Sequence, residues 1–264
     1  MNNQCRPKVF LVHGYGGGQC SWTLVKIGLR AFSRPISVEL TGFGSDAPPV
    51  EFGYSLSEQA ISLVGQLTEK SYCDEDSILL AHSFGAAVVI VAMRDRLIAP
   101  KHVIFVDALA YSQKIPTFMK VQLTPILGPL LIRFIPPRIQ VRIVLKRIYA
   151  KTSKISRSIE KCYEESFVQS HYRTALIGTA RALRSSRDLK VPMAPLFQAS
   201  RLDIIWGACD PLLPFHFGKR LAIEAKANSL TLIPDCGHAP HEERPELFVQ
   251  AIRRIIVDDA ATKY

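Results

Sequence analysis

The chain has no uninterrupted apolar run of the roughly 20 residues that a membrane-spanning helix needs, so no span is expected from its 264 residues. Its opening, MNNQCRPKVFLVHG, holds one short apolar run that passes straight into a histidine and glycines. The long apolar segment and small-residue cleavage site of a signal peptide are missing, and a cytoplasmic location is the expectation. Six cysteines are present without a CxxC or regular spacing, which speaks against a disulfide framework or a zinc site and for reduced thiols. One pair stands apart: Cys209 directly precedes Asp210, and Cys236 lies just before His238. If those loops converge, their sulfurs come close, which leaves a disulfide there as the alternative. Internal repeats and low-complexity tracts are absent, and nothing calls for a nucleic-acid partner. Acidic residues are scarce in one segment only. From Ser112 to Lys190 there are 16 Lys and Arg against 4 Asp and Glu, while the remaining residues carry 17 against 19. The whole +10 charge excess therefore resides in that segment, and a concentrated field of one sign favours an acidic partner.

What is present reads as alternating strands and helices. KVFLV at Lys8 to Val12 has the near-continuous apolar character of a strand buried on both faces. Ile36 to Leu40, Ser77 to Ala81, His102 to Val106, Ile204 to Trp206 and Leu230 to Ile233 follow the same pattern. Between them fall helical stretches at Ser21 to Arg30, from the Ser55/Glu58 capping box to about Glu69, at Phe84 to Arg94, Phe215 to Lys226 and Pro245 to Val257. That alternation predicts an α/β protein with a parallel sheet covered on both sides. Over 112–190 it stops. The segment reads as several helices broken by Pro116, Pro125, Gly128, Pro129 and the Pro136-Pro137 pair. A helical insertion at this place covers the C-terminal ends of the strands, where such sheets bind ligands. The expected division is a core of 1–111 and 191–264 with a basic helical lid over 112–190.

Ala81-His82-Ser83-Phe84-Gly85, between a strand and a helix, matches G-x-S-x-G with alanine at the first position. The turn is so tight that small residues must stand two before and two after the serine. It presents the Ser83 hydroxyl at a helix N-terminus, where developing negative charge is favoured. A serine needs a base that also returns the proton. His238, on the loop after the last strand, is preferred; His241 is the competitor, ranked second as a loop hydrogen-bonder. His82 is expected to point away from its neighbour, into the sheet. Asp210, after the penultimate strand, is the preferred carboxylate to orient the base, with Asp107 at the end of HVIFVD as its rival. Backbone N–H groups of Tyr15, in the glycine loop His13 to Gly18, and of Phe84 form the expected oxyanion hole. That loop lacks both the Walker lysine and the G-x-G-x-x-G spacing of a phosphate cradle.

With VFLVHGYGGG, ELTGFGSDAP, LLAHSFGA, IWGACDPLLP and IPDCGHAPHEERPELF in this order, the chain resembles the α/β-hydrolase superfamily, in particular its lidded serine-esterase and carbon–carbon hydrolase branch. Two positions depart from the pattern, Glu39 for aspartate and Ala81 for glycine. The resemblance implies an eight-stranded, mostly parallel sheet with the lid after the sixth strand, no cofactor, no metal, and an acyl-enzyme on Ser83. A serine nucleophile argues against the members that use an aspartate. The implied activity is ester or thioester hydrolysis. The alternatives are carbon–carbon hydrolysis of a dienoic acid and a non-catalytic ligand receptor. The basic lid suggests an acidic acyl carrier protein met through Arg133, Arg138, Arg142, Lys146 and Arg147, or an anionic membrane touched by the neighbouring apolar stretch Ile126 to Ile135.

Overall fold

The computed structural model describes residues 6–45, 47–150, 155–185 and 201–258. Its centre is one sheet of six strands among the described residues, every neighbouring pair parallel, in the order β2-β1-β3-β4-β5-β6. The strands are β1 (Lys8–Val12), β2 (Arg34–Val38), β3 (Ser77–His82), β4 (His102–Val106), β5 (Arg201–Gly207) and β6 (Ser229–Ile233). Of the eight strands expected, six are found among the described residues, and there the helical insertion follows the fourth strand in chain order. Residues before Lys8 add no strand among those described.

Helices α1 (Thr23–Leu29), α2 (Leu56–Glu69) and α3 (Phe84–Arg94) link the first four strands. A five-helix insertion follows: α4 (Thr117–Gln122), α5 (Leu127–Phe134), α6 (Pro137–Ile148), α7 (Arg157–Ser166) and α8 (Ser170–Ser185). After β5 come α9 (His216–Glu224), the short α10 (Pro240–Glu243) and α11 (Pro245–Arg253). The expected lid-to-core boundary at 190/191 lies outside the described residues.

Alternation along each strand sends side chains to two apolar layers. Phe10, Val12, Leu79, Phe105 and Trp206 join one cluster with residues of α2 and α3. Val9, Leu11, Leu80, Ile104 and Ile205 join the other, with Val25 and Leu29 of α1 and Phe248 and Ile252 of α11. Ser55 caps α2 reciprocally: its hydroxyl accepts from the Glu58 N–H at 3.2 Å, and Glu58 accepts from the Ser55 N–H at 3.0 Å. The second strand ends at Val38, two residues short of the expected Leu40. The Leu40 N–H donates instead to Nε2 of His13 at 3.0 Å, leaving the sheet ladder.

The strand order reverses between β1 and β3, since the chain leaves β1 toward β2 and returns on its other side. Open parallel sheets bind ligands at such a point, beyond the carboxyl ends of the strands. The register pairing Val12 with Ala81 sets the glycine loop beside Ser83 there.

Candidate active site

Ser83 occupies the turn between β3 and α3 with φ 49° and ψ −115°, a backbone conformation that L-residues adopt only where surroundings enforce it. The enforcement is visible. The Ser83 N–H donates to the Val106 carbonyl at 2.9 Å, and the Ser83 carbonyl accepts from the Leu109 and Ala86 N–H groups, both at 3.1 Å. A Cβ on Gly85 would stand 2.4 Å from the His13 carbonyl oxygen, so the turn closes only with glycine there. Ala81 is fully buried and fits; its methyl is tolerated where glycine is the usual residue.

The structure brings together the three residues predicted from sequence. Nε2 of His238 lies 2.8 Å from the Ser83 hydroxyl, and Nδ1 lies 2.7 Å from Oδ2 of Asp210. The other Asp210 oxygen accepts from the Leu212 and Leu213 N–H groups at 2.7 and 2.9 Å, so the carboxylate is held while facing the imidazole. Asp107, the rival, stands one step behind. Its Oδ1 accepts from the Gly207 N–H at 2.9 Å, and its Oδ2 has no donor. A carboxylate oxygen of each aspartate and a ring nitrogen of His238 lie within 4.8 Å of one another. Complete burial, then the neighbouring Asp210 charge, pushes the Asp107 carboxyl well above the usual range. Burial and that neighbouring charge both disfavour the ionised form of Asp107, and it is Asp210 that touches the histidine directly.

The histidine loop is held by groups that the sequence did not single out. The His238 N–H donates to the Ile148 carbonyl at 2.8 Å. Its own carbonyl accepts from Nε2 of His82 at 2.7 Å, which fixes the Nε2–H tautomer of His82. Burial, with His241 and His238 nearby, holds His82 well below the usual imidazole range and so neutral. The expectation that His82 points away into the sheet is corrected: its ring reaches the His238 loop and lines the cavity at Ser83. His241 is corrected too. Neither ring nitrogen has a hydrogen-bond partner, and the ring stacks on Trp22 at 4.3 Å. Burial brings its pKa down to about 3, so it packs as a neutral aromatic.

Tyr15 and Phe84 both line the cavity beside Ser83. Phe84 is the first residue of α3, where backbone N–H groups have no partner within the helix. The glycine loop carrying Tyr15 is fixed from two sides. His13, neutral through burial, accepts from Leu40 on one nitrogen and contacts the Gly14 carbonyl at 2.8 Å with the other. From the insertion, the Tyr172 hydroxyl donates to the Gly16 carbonyl at 2.6 Å, while the Tyr15 hydroxyl reaches into the insertion and shares its one proton between Gln122 Oε1 at 2.6 Å and the Leu176 carbonyl at 2.9 Å.

Further ties run from the insertion to the histidine loop. Glu242 accepts from the hydroxyls of Tyr149 at 2.5 Å and Tyr163 at 2.7 Å. Burial raises its pKa to about 7 against the opposing effect of those donors. Glu243 accepts from the Ala150 and Gly237 N–H groups. One tie is covalent: Cys20, in the short 3-10 turn Gln19–Trp22, is disulfide-bonded to Cys162 of α7. The expectation of reduced thiols fails at this pair. The alternative pair does not bond either. The Cys209 N–H donates to the Cys236 carbonyl at 2.8 Å, so the loops converge, but both thiols are free, Cys209 exposed and Cys236 buried.

Between sheet and insertion lies a cavity of about 1070 Å³, including its mouth, with Ser83 and His238 among the lining residues. Leu109, Ile115, Phe118, Met119, Val144 and Ile148 make its walls largely apolar. A second hollow of about 480 Å³ shares Tyr15, Phe118, Val144, Ile148 and Tyr163 with it. Of the basic lid residues predicted to meet a partner, Arg142 is occupied within the insertion, donating to Glu160 at 2.6 Å. Arg133, Arg138, Lys146 and Arg147 are exposed. No helix among the described residues is long and apolar enough to cross a membrane.

Comparison with known proteins agrees with this architecture. An uncharacterized hydrolase of Bacillus subtilis is 24% identical over 255 residues, covering 96% of this chain and 91% of its own. Among solved structures, a thermophilic esterase from Thermogutta terrifontis superimposes with a TM-score of 0.76 at 20% identity, covering 96% of this chain and 90% of the esterase. The 2-hydroxy-6-oxo-6-phenylhexa-2,4-dienoate hydrolase of Rhodococcus does so with a TM-score of 0.73 at 18% identity, covering 94% and 90%. At such identities these two likenesses speak for the fold alone. The model of the alpha/beta hydrolase family matches residues 9–251, and the chain belongs to that family.

Proposed function

We propose that the protein is a serine esterase that hydrolyses carboxylic esters with an apolar acyl part, through an acyl-enzyme on Ser83. The observation that carries this reading is the continuous contact from Asp210 through His238 to the Ser83 hydroxyl, at 2.7 and 2.8 Å, at the base of a largely apolar cavity. Asp210 keeps Nδ1 of His238 protonated, so Nε2 is free to accept the serine proton. The Ser83 oxygen then bonds to the ester carbonyl carbon. The carbonyl oxygen takes the negative charge, facing the Tyr15 and Phe84 N–H groups. Collapse of that intermediate breaks the bond to the alcohol oxygen, which receives the proton from His238 and departs. Water, deprotonated by His238, attacks the acyl-serine. The carboxylic acid leaves, and the proton returns to Ser83.

The dienoic-acid reading is second. Its substrate carries a carboxylate, which calls for a cationic group inside the cavity. Among the lining residues there is one Lys or Arg, Lys114, and it is exposed. The test is hydrolysis of p-nitrophenyl esters of increasing acyl length by the wild type and by Ser83→Ala. Turnover that depends on Ser83 and rises with chain length is the expected result. A folded protein inert toward every ester, yet active on a coloured dienoic acid, would overturn the ester reading. Binding without turnover of either class would make the chain a receptor.

A further inference from the structure

Helices α5 and α6 carry apolar side chains on two opposite faces. Inward, Ile132, Val141 and Leu145 are buried, and Val144 and Ile148 line the cavity. Outward, Ile126 and Phe134 are 79% and 71% exposed, and Leu127, Leu130, Ile139 and Ile143 are each about half exposed. Ile126, Leu130 and Phe134 are four residues apart, and so are Ile139 and Ile143. Each set therefore forms a stripe along its helix. A cluster of six large apolar side chains left in water marks a surface that meets something.

The charge around this patch identifies the partner. No Asp or Glu occurs between Asp107 and Glu160, an interval that holds ten Lys and Arg. Arg142 and Arg157 are paired with Glu160. Arg133, Arg138, Lys146 and Arg147 have no carboxylate partner among the described residues. Arg138 and Lys146 flank the Ile139/Ile143 stripe on the helix surface, and Arg133 adjoins Phe134. Apolar stripes edged by unpaired cations match the boundary between acyl chains and anionic headgroups. A bilayer supplies both counterparts at once, acyl chains for the isoleucines and Phe134 and headgroup phosphates for the cations.

We propose that the outer face of α5 and α6 docks the protein on an anionic lipid bilayer, with Ile126, Leu130 and Phe134 entering the interface and Arg133, Arg138, Lys146 and Arg147 among the headgroup phosphates. The opposite face of α6 borders the cavity through Val144 and Ile148. Docking therefore brings the cavity to the source of apolar acyl esters, a consequence that rests on the esterase reading. The docking itself does not, because it is measured without turnover.

The experiment is co-sedimentation of the full chain carrying Ser83→Ala with sucrose-loaded vesicles, one set of phosphatidylcholine and one with roughly 30% phosphatidylglycerol added. Binding is expected to the anionic vesicles, to weaken with salt, and to fall about tenfold or more in two variants. One carries Leu130→Asp with Phe134→Asp; the other carries Arg138→Gln, Lys146→Gln and Arg147→Gln. All these positions are exposed, and thermal melts establish that each variant folds. Absence of vesicle binding, or binding that both variants retain in full, overturns the proposal. So does sedimentation velocity showing a dimer that the aspartate variant dissolves while vesicles remain unbound. Salt-sensitive capture of a purified acidic acyl carrier protein, with vesicles unbound, overturns it in favour of the carrier.

Discussion

The sheet and the helical insertion are built on different principles, and the site lies where they meet. In the sheet, the inner strands β1, β3, β4 and β5 are short apolar runs buried on both faces. Position follows from chain order and parallel register, so Ser83, Asp107, Asp210 and His238 all arrive at one end of neighbouring strands. Among the described residues the insertion has no such ladder to the sheet. It is held by point contacts that fasten it to the glycine loop and the histidine loop: Tyr172 on Gly16, Tyr15 on Gln122, Tyr149 and Tyr163 on Glu242, and the Cys20–Cys162 bond. The chemical groups belong to the sheet, and their steadiness depends on the insertion. Perturbing one region should therefore alter rate, and perturbing the other should alter stability and fit.

The largest effect expected is at the sheet. Asp210→Asn should lower kcat/KM by about 10³- to 10⁴-fold, since the imidazole loses the charge that sets its tautomer. Asp107→Asn should cost less than about tenfold, because Asp210, not Asp107, accepts from His238 and the amide analogue still accepts from Gly207. Kinetics of the two variants side by side decide the matter. Equal losses would contradict the assignment of Asp210.

In the insertion, Cys162→Ser should leave the chemical groups in place and lower stability by about 3–5 kcal/mol, because the bond closes a loop across 142 residues of sequence. Denaturant unfolding with and without reductant measures this. A reduced wild type as stable as the oxidised one would show that the insertion needs no covalent tie.

Glu242 links the regions through a proton. Its pKa of about 7 in the folded protein exceeds the 4.5 of the free side chain. Between those values the folded state holds more protons than the unfolded one, and stability falls as pH rises. The decline should be about 1–3 kcal/mol from pH 4.5 to 7.5. Glu242→Gln should flatten it, seen as a melting temperature that changes less over that range. An unchanged slope would remove Glu242 as its source.

The smallest effect is at Tyr172→Phe, which removes one hydroxyl from the Gly16 carbonyl and should cost about 1 kcal/mol. A few-fold loss in kcat at unchanged KM would accompany it if the glycine loop loosens. Thermal unfolding and steady-state kinetics separate the two consequences.

These regions also differ in how far the sequence discloses them. Apolar runs and the Ser55/Glu58 cap specify their elements within a few residues, and the small residues around Ser83 announce a turn that tolerates nothing larger. Such signals are local. The apolar pattern overruns the end of β2 because His13, 27 residues earlier, takes the Leu40 N–H. The orientation of His82 escapes the pattern because alternation along a strand does not foretell a carbonyl 156 residues away. The Cys20–Cys162 bond has no spacing signature, since it exists only once the insertion folds back over the glycine loop. The apolar stretch Ile126 to Ile135 reads in sequence as a surface for a membrane, but which of its side chains face water is decided by packing and cannot be read from the run itself.

The most direct test of the central claim, that Ser83 is the nucleophile, is labelling with a fluorophosphonate followed by peptide mass mapping, beside His238→Ala. A phosphonyl adduct on the peptide bearing Ser83, formed in the wild type and lost without His238, is the predicted result. An adduct on another residue, or none on a folded and otherwise active protein, would contradict it.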